Sequence, residues 1–227
     1  GLHNWQSPDF RPYQLVSHIF MHGDFYHILF NMFALWMFGN QLENVWGGKR
    51  FITFFMITGL GAAALHIGVN QIQIYLLEIK FSSESLSLIK DVGYNYWSDL
   101  KELKKQYGTN SIPSVEFMAL ANKYNLILDK NTYNLIHLYY IPTVGASGAV
   151  YGLLLAFGML FPNTLIYLYF AIPIKAKYFV AAYGALELWL GLQNNPNDNV
   201  AHFAHLGGML FGYLLIKYWR KNSQHFY

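Results

Sequence analysis

The chain alternates between long apolar runs and polar connectors, on a scale far longer than a helical turn or a strand repeat. Residues 26–41, 51–69, 144–162 and 200–216 contain no Asp, Glu, Lys or Arg, and 178–192 contains only Glu187. Runs of about 17–25 apolar residues have the length of a transmembrane helix, so the pattern predicts five membrane helices, the first entering at His18. Residues 1–17 mix aromatic, polar and proline positions and are expected to lie at a membrane interface. Residues 70–143 have ordinary soluble composition. They predict a helical, water-exposed insertion with amphipathic stretches at 98–107 and 114–124, the second opened by Pro113 with Ser114 as cap. Residues 39–50 and 162–177 read as connectors, and 193–199 as a loop placing Asp198 or Asn199 to cap the last helix. The fold class is all-α: a polytopic membrane helix bundle, divided into 1–69, an extramembrane insertion at 70–143, and 144–227.

Composition sharpens this picture. Only 12% of residues are charged, against 54% hydrophobic, where a soluble domain is about a quarter charged. With no cysteine, disulfides and thiolate chemistry are excluded. A net charge of +3 is no nucleic-acid signature, and the basic residues sit at helix ends, as membrane anchoring predicts. Lys49, Arg50, Lys175, Lys177, Lys217, Arg220 and Lys221 fall on one side, against Arg11 alone in the short segments of the other. Long loops are not counted in this balance. The C-terminus is therefore expected to be cytoplasmic, with Ser147 and residues 193–199 facing outward, and the membrane to be a bacterial cytoplasmic (inner) membrane. The chain starts at Gly1, and nothing before His18 resembles a signal peptide, so a preceding segment with another helix is expected.

Three polar clusters interrupt the apolar runs. The first holds His18, His22, His27 and Asn31, with His27 and Asn31 four apart on one helix face. The second is Ser147, set among small residues in Gly145-Ala146-Ser147-Gly148. The third is Ala204-His205-Leu206-Gly207-Gly208, followed by Gly212. Intramembrane polar residues are costly and tend to face a functional cavity. Gly148 with Gly152, and Gly208 with Gly212, have the GxxxG spacing that lets two backbones approach. If those faces meet, Ser147 and His205 fall side by side, with Tyr151 one turn below to stack on the imidazole. No acidic residue is placed as a third member, so the arrangement is read as a Ser–His dyad.

These motifs, in this order, resemble the rhomboid family of intramembrane serine proteases, over the whole chain except the insertion. The resemblance implies a six-helix core, of which five helices are visible here. It implies cleavage of transmembrane segments of membrane proteins within a lipid bilayer, through an acyl-enzyme. Ser147 would be the nucleophile and His205, not His202, the general base. His27, Asn31 and the Ser147 N–H would form the oxyanion site, with His22 and Gly145 in support. Glu43 resembles the family's structural glutamate, and substrate would enter past 178–192. Glu187 is read as a residue paired within the bundle, with gating the lesser alternative. No cofactor or metal is called for. The Trp-Arg pair common in the family's first outer loop is absent.

Two other readings compete. His18 with His22, and His202 with His205, have plausible metal-ligand spacing, but the chain has only nine histidines and no HExxH. A non-catalytic rhomboid-like protein that binds membrane helices is the second, although both the serine and the histidine are present.

Overall fold

The computed structural model describes residues 1–108, 112–168, 171–193 and 200–222. In chain order the elements are α1 (Gln14–Ser17), a 3-10 turn (His18–Phe20), α2 (Phe25–Ala34), a π-helical stretch (Leu35–Gly39), α3 (Asn40–Glu78), α4 (Ser83–Tyr107), α5 (Ser114–Lys123), α6 (Lys130–Tyr140), α7 (Ser147–Leu160), β1 (Leu165–Leu168), β2 (Ile172–Lys175), α8 (Ala176–Gln193) and α9 (His202–Asn222). The chain divides into two compact units. One comprises Gly1–Leu2, Pro12–Val69 and Thr143–Tyr227, the other His3–Arg11 and Asn70–Pro142. Asp198 and Asn199, expected to cap the last helix, lie outside the described residues.

In the first unit, α2 opens where the Asp24 carboxylate accepts the His27 N–H at 2.8 Å, a side-chain cap for a donor that has no helical partner. The helix then runs through the π stretch into α3. The expected connector at 39–50 is helical instead, and the chain reverses at one residue. Gly47 takes φ +74°, ψ 157°, a conformation open essentially to glycine alone. α7 and α9 pack through their glycines. A Cβ on Gly208 would sit 1.7 Å from the Gly148 carbonyl oxygen, and one on Gly152 would sit 3.0 Å from the Gly208 oxygen. A core of Leu42, Phe54, Leu153 and Ile216, all fully buried, fills the end of the bundle away from Ser147. In place of a plain connector at 162–177, β1 and β2 form an antiparallel pair, Leu165 opposite Lys175.

Large apolar side chains also cover the outside of this unit, among them Phe30, Trp36, Ile52, Trp189 and Leu214. Soluble monomers rarely expose so much contiguous apolar surface. By length and composition, one helical stretch among the described residues, Phe25–Glu78, can cross a membrane; α7 is apolar but shorter. Five spans were expected from the sequence, the one at 178–192 interrupted by Glu187. At ~1.5 Å per residue, the 14 residues of α7 span about 21 Å, short of the ~30 Å hydrocarbon core. The apolar run at 144–162 includes non-helical residues at both ends. α8 is diluted by Glu187, and α9 by its histidines and basic end.

The second unit packs α4, α5 and α6 around Ile74, Tyr96, Leu100, Leu135 and Ile136. Ser82 caps α4 by accepting from Ser85 N–H, and Asp129 caps α6 by accepting from Thr132 N–H at 2.7 Å. Ser114 is the first residue of α5 rather than its cap, and Pro113 precedes it without a side-chain hydrogen bond. The stretch 98–107 is the second half of α4. Lys123 and Tyr124 both donate to the Asp99 carboxylate, at 2.7 and 2.8 Å, which ties α5 to α4.

Candidate active site

All the polar clusters singled out in the sequence fall in the first unit. Ser147 is the first residue of α7, and the first helical hydrogen bond runs from Val150 N–H to the Ala146 carbonyl. The N–H groups ahead of Val150 have no acceptor within the helix. The approach to Ser147 is held from two sides. Thr143 pairs with Leu2 through bonds of 2.7 and 2.8 Å, and Gly145 N–H donates to the His18 carbonyl at 3.0 Å. Gly145 has φ +120°. A Cβ there would be strained by the backbone and would also meet His27 Nε2 at 2.7 Å.

α9 starts with Ala204 and His205 N–H groups both turned onto the Ala201 carbonyl. With Gly208 against Gly148, His205 Nε2 lies 2.9 Å from Ser147 Oγ. The Tyr151 ring is stacked on the imidazole, centroids 4.1 Å apart and planes within 6°. Gly152 and Gly212 continue the same close approach one turn further in, where a Cβ on Gly212 would meet the Gly152 oxygen at 3.3 Å.

Behind His205 lies a residue that spacing alone did not reveal. Glu187 of α8 is buried. Its Oε2 accepts from His205 Nδ1 at 2.9 Å and from His202 Nδ1 at 2.6 Å, and Tyr151 OH donates to Oε1. The sequence reading found no acid placed as a third member. The structure sets an acid beside His205, because α8 packs against both α7 and α9 and carries residue 187 to the depth of the histidine.

The remaining predicted residues gather around His27. Its Nδ1 accepts from Gly23 N–H at 3.4 Å, which leaves Nε2, the atom nearest Gly145, to carry the proton. The His22 ring stands edge-on to His27, centroids 5.1 Å apart. Asn31 is buried and donates through Nδ2 to the His27 carbonyl at 2.9 Å. His22 and Asn31 join the cluster through His27, not through Ser147 itself. His18 sits apart from this ring pair, with its Nδ1 bonded to the Gln14 carbonyl at 2.9 Å.

Among the described residues, one group of three carries metal-type donors close together: Glu187, His202 and His205, with donor atoms within 4.8 Å of one another. The two ring nitrogens converge on a single carboxylate oxygen at hydrogen-bond distance, and His205 turns its other nitrogen to Ser147. Those distances to the carboxylate, 2.6 and 2.9 Å, are hydrogen-bond distances. His18 and His22, the other half of the metal reading, do not join this group.

A serine on one glycine-faced helix, bonded to a histidine on another, is now joined to a family match. The Rhomboid domain family model matches residues 9–76 and 101–222. The chain belongs to the rhomboid family. Its bundle is an all-α, rhomboid-like one. Among curated relatives, an uncharacterized mitochondrial rhomboid protein of Schizosaccharomyces pombe is 28% identical over 219 residues, covering 94% of this chain and 53% of the relative. Mitochondrial rhomboid protein 1 of Saccharomyces cerevisiae is 22% identical over 208 residues, covering 88% of this chain and 40% of the relative. The chain thus spans about half the length, or less, of these relatives. No solved structure matches. The mitochondrial relatives overturn the expected bacterial cytoplasmic membrane. Charge asymmetry speaks only to orientation within a membrane and carries no information about which membrane it is.

Proposed function

We propose that this rhomboid is an intramembrane serine endopeptidase that cleaves transmembrane segments of other membrane proteins, acting in a mitochondrial membrane. The observation that carries the reading is the 2.9 Å contact of His205 Nε2 with Ser147 Oγ, made while Nδ1 is held by a carboxylate. With Nδ1 carrying the proton, Nε2 presents its lone pair to the hydroxyl, as a general base requires.

His205 takes the Ser147 proton as Oγ bonds to the scissile carbonyl carbon and the carbonyl electrons move to oxygen. The resulting oxyanion is received by the Ser147 N–H and by His27 Nε2–H, with Asn31 adding a second side-chain donor. His22 packs the His27 ring, and Gly145 leaves room for it. Removal of one such donor typically costs about 10²–10³ in rate. Collapse expels the amine, which takes its proton from His205. Water then attacks the acyl-enzyme, with His205 again as base, and frees Ser147. Tyr151 fixes the imidazole plane throughout.

The test uses full-length protein in lipid vesicles, a serine-directed fluorophosphonate and a panel of single-span substrates. Labelling and cleavage are expected in the parent and absent in Ser147→Ala and His205→Ala. Equal labelling of parent and Ser147→Ala would remove Ser147 as nucleophile. Binding of a membrane helix with no cleavage of any substrate would favour a non-catalytic rhomboid-like role.

A further inference from the structure

We infer that Glu187 is the third member of a Ser–His–Glu relay: a positioning residue that fixes the His205 tautomer and supports the imidazolium formed during acyl transfer. The inference rests on the protease reading above and adds a residue to it.

The geometry is that of a relay. Ser147 Oγ, His205 Nε2, His205 Nδ1 and Glu187 Oε2 are linked in sequence by contacts of 2.9 Å on each side of the ring. The relay also needs a carboxylate that stays ionised and stays still. Glu187 is 5% exposed, and a bare carboxylate so buried would be strongly disfavoured. It is not bare, because it accepts from three donors on two other helices: His205 and His202 from α9, and Tyr151 from α7. Tyr151 also stacks on His205, so one side chain holds both the ring plane and the carboxylate facing it. If Glu187 were a neutral acid donating to His205, the imidazole would carry its proton on Nε2 and could not act as a base. Three donors converging on the group favour the ionised form instead.

The ionisable groups facing His205 can be named helix by helix. Tyr151 belongs to α7, Glu187 to α8, and His202 to α9, its ring edge-on at 6.4 Å. His27 of α2 and His66 of α3 lie within electrostatic range. Glu187 is the one acid among these described residues.

Glu187→Gln keeps the shape and can still turn a carbonyl toward the rings, so it mainly deletes the charge. Loss of one preorganised electrostatic contact to the transition state typically costs about 10²–10³ in kcat. The expected result is a kcat lower by about 10²- to 10³-fold with KM little changed. Glu187→Asp, which restores the charge on a shorter arm, should recover part of the rate. The experiment follows cleavage of a single-span substrate by full-length protein in vesicles at neutral pH, beside thermal melting of each variant. If Glu187 only bolts α8 to its neighbours, Gln and Asp variants will melt lower while kcat falls no further in Gln than in Asp, and the inference is wrong. Should the Gln variant not fold, the wild-type protein still decides. With ¹⁵N-histidine NMR at neutral pH, a His205 ring protonated at Nε2 and bare at Nδ1 would overturn the relay, and one protonated at Nδ1 would support it. Failure of the protease reading looks different: wild type and Ser147→Ala would be indistinguishable before any Glu187 variant is considered.

Discussion

Gly208→Ala adds one methyl group on the face of α9 that meets α7, and the structure allows its effect to be worked through. The new Cβ would lie 1.7 Å from the Gly148 carbonyl oxygen, where real Cβ atoms essentially never come closer than 3.0 Å. Subtraction gives a required retreat of about 1.3 Å, which is at the scale where misplacement costs about 10²-fold in rate. α9 cannot simply back away. Its adjacent residue, Gly207, already sits where a Cβ would meet the Ala62 backbone at 2.9 Å, so α3 blocks that direction. Overpacking of this kind costs about 1–3 kcal/mol or more, well above the ~1 kcal/mol that alanine gains over glycine in a helix. His205 lies one turn earlier on the same face and moves with Gly208. Its 2.9 Å contact with Ser147 would open beyond hydrogen-bond range. Fluorophosphonate labelling and substrate cleavage should both fall at least ~10²-fold, with a lower melting temperature. The control is Gly68→Ala in α3, where a Cβ has nothing within 4 Å; it should be neutral or gain up to ~1 kcal/mol. A Gly208→Ala protein that melts and cleaves like the parent would mean the two backbones do not touch there.

Gly145→Ala should abolish cleavage, since φ +120° and the His27 ring at 2.7 Å both reject a Cβ; unchanged cleavage would remove Gly145 from the site. Gly47→Ala forces a side chain onto φ +74° at a cost of about 1–3 kcal/mol, to be read as a lower melting temperature, and an unshifted melt would count against the reversal. Asp129→Ala removes the cap of α6 and should cost about 1 kcal/mol, seen as faster hydrogen exchange at the α6 N-terminus; exchange equal to the parent's would refute it. The Lys123 hydrogen bond, with that of Tyr124, holds the Asp99 carboxyl below its ordinary range, and the Thr132 N–H does the same for Asp129. Both carboxyls are therefore more acidic folded than unfolded, so their contribution is present above about pH 4 and lost as pH falls through the lower folded values. Hydrogen exchange of α5 and α6 between about pH 5 and 2 should rise accordingly, after correction for intrinsic rates; protection that stays flat would contradict the assignment.

The parts of the fold legible in the sequence were those written as spacing. Gly148 with Gly152 and Gly208 with Gly212 each mark a helix face, and two such faces have few partners in a bundle except one another. That pairing brings residues 58 positions apart, Ser147 and His205, into contact. The boundaries were less legible because apolar content does not distinguish helix from the apolar loop beside it, as at 144–146. The reversal at Gly47 was hidden for a related reason. Polar Asn40, Gln41 and Glu43 resemble a loop by composition, yet a helix surface accepts them equally well, and only the backbone angles locate the turn at a single glycine.

Glu187 was hidden in a different way. Its run, 178–192, offers no motif, and its three donors come from positions 36, 15 and 18 residues away in sequence. Depth was the signal available. Residue 187 lies about two turns from the α8 C-terminus, while His205 and Tyr151 lie about one turn inside the N-termini of α9 and α7. Those helix ends meet on one side of the bundle, where Tyr151 and His205 both contact Glu187, so the three side chains share a layer. A carboxylate in an apolar layer requires donors to offset its desolvation, and in that layer the donors at hand are Tyr151, His202 and His205. The acid that dilutes α8 as a membrane span is therefore the group for which α8 has a reason to face the histidine.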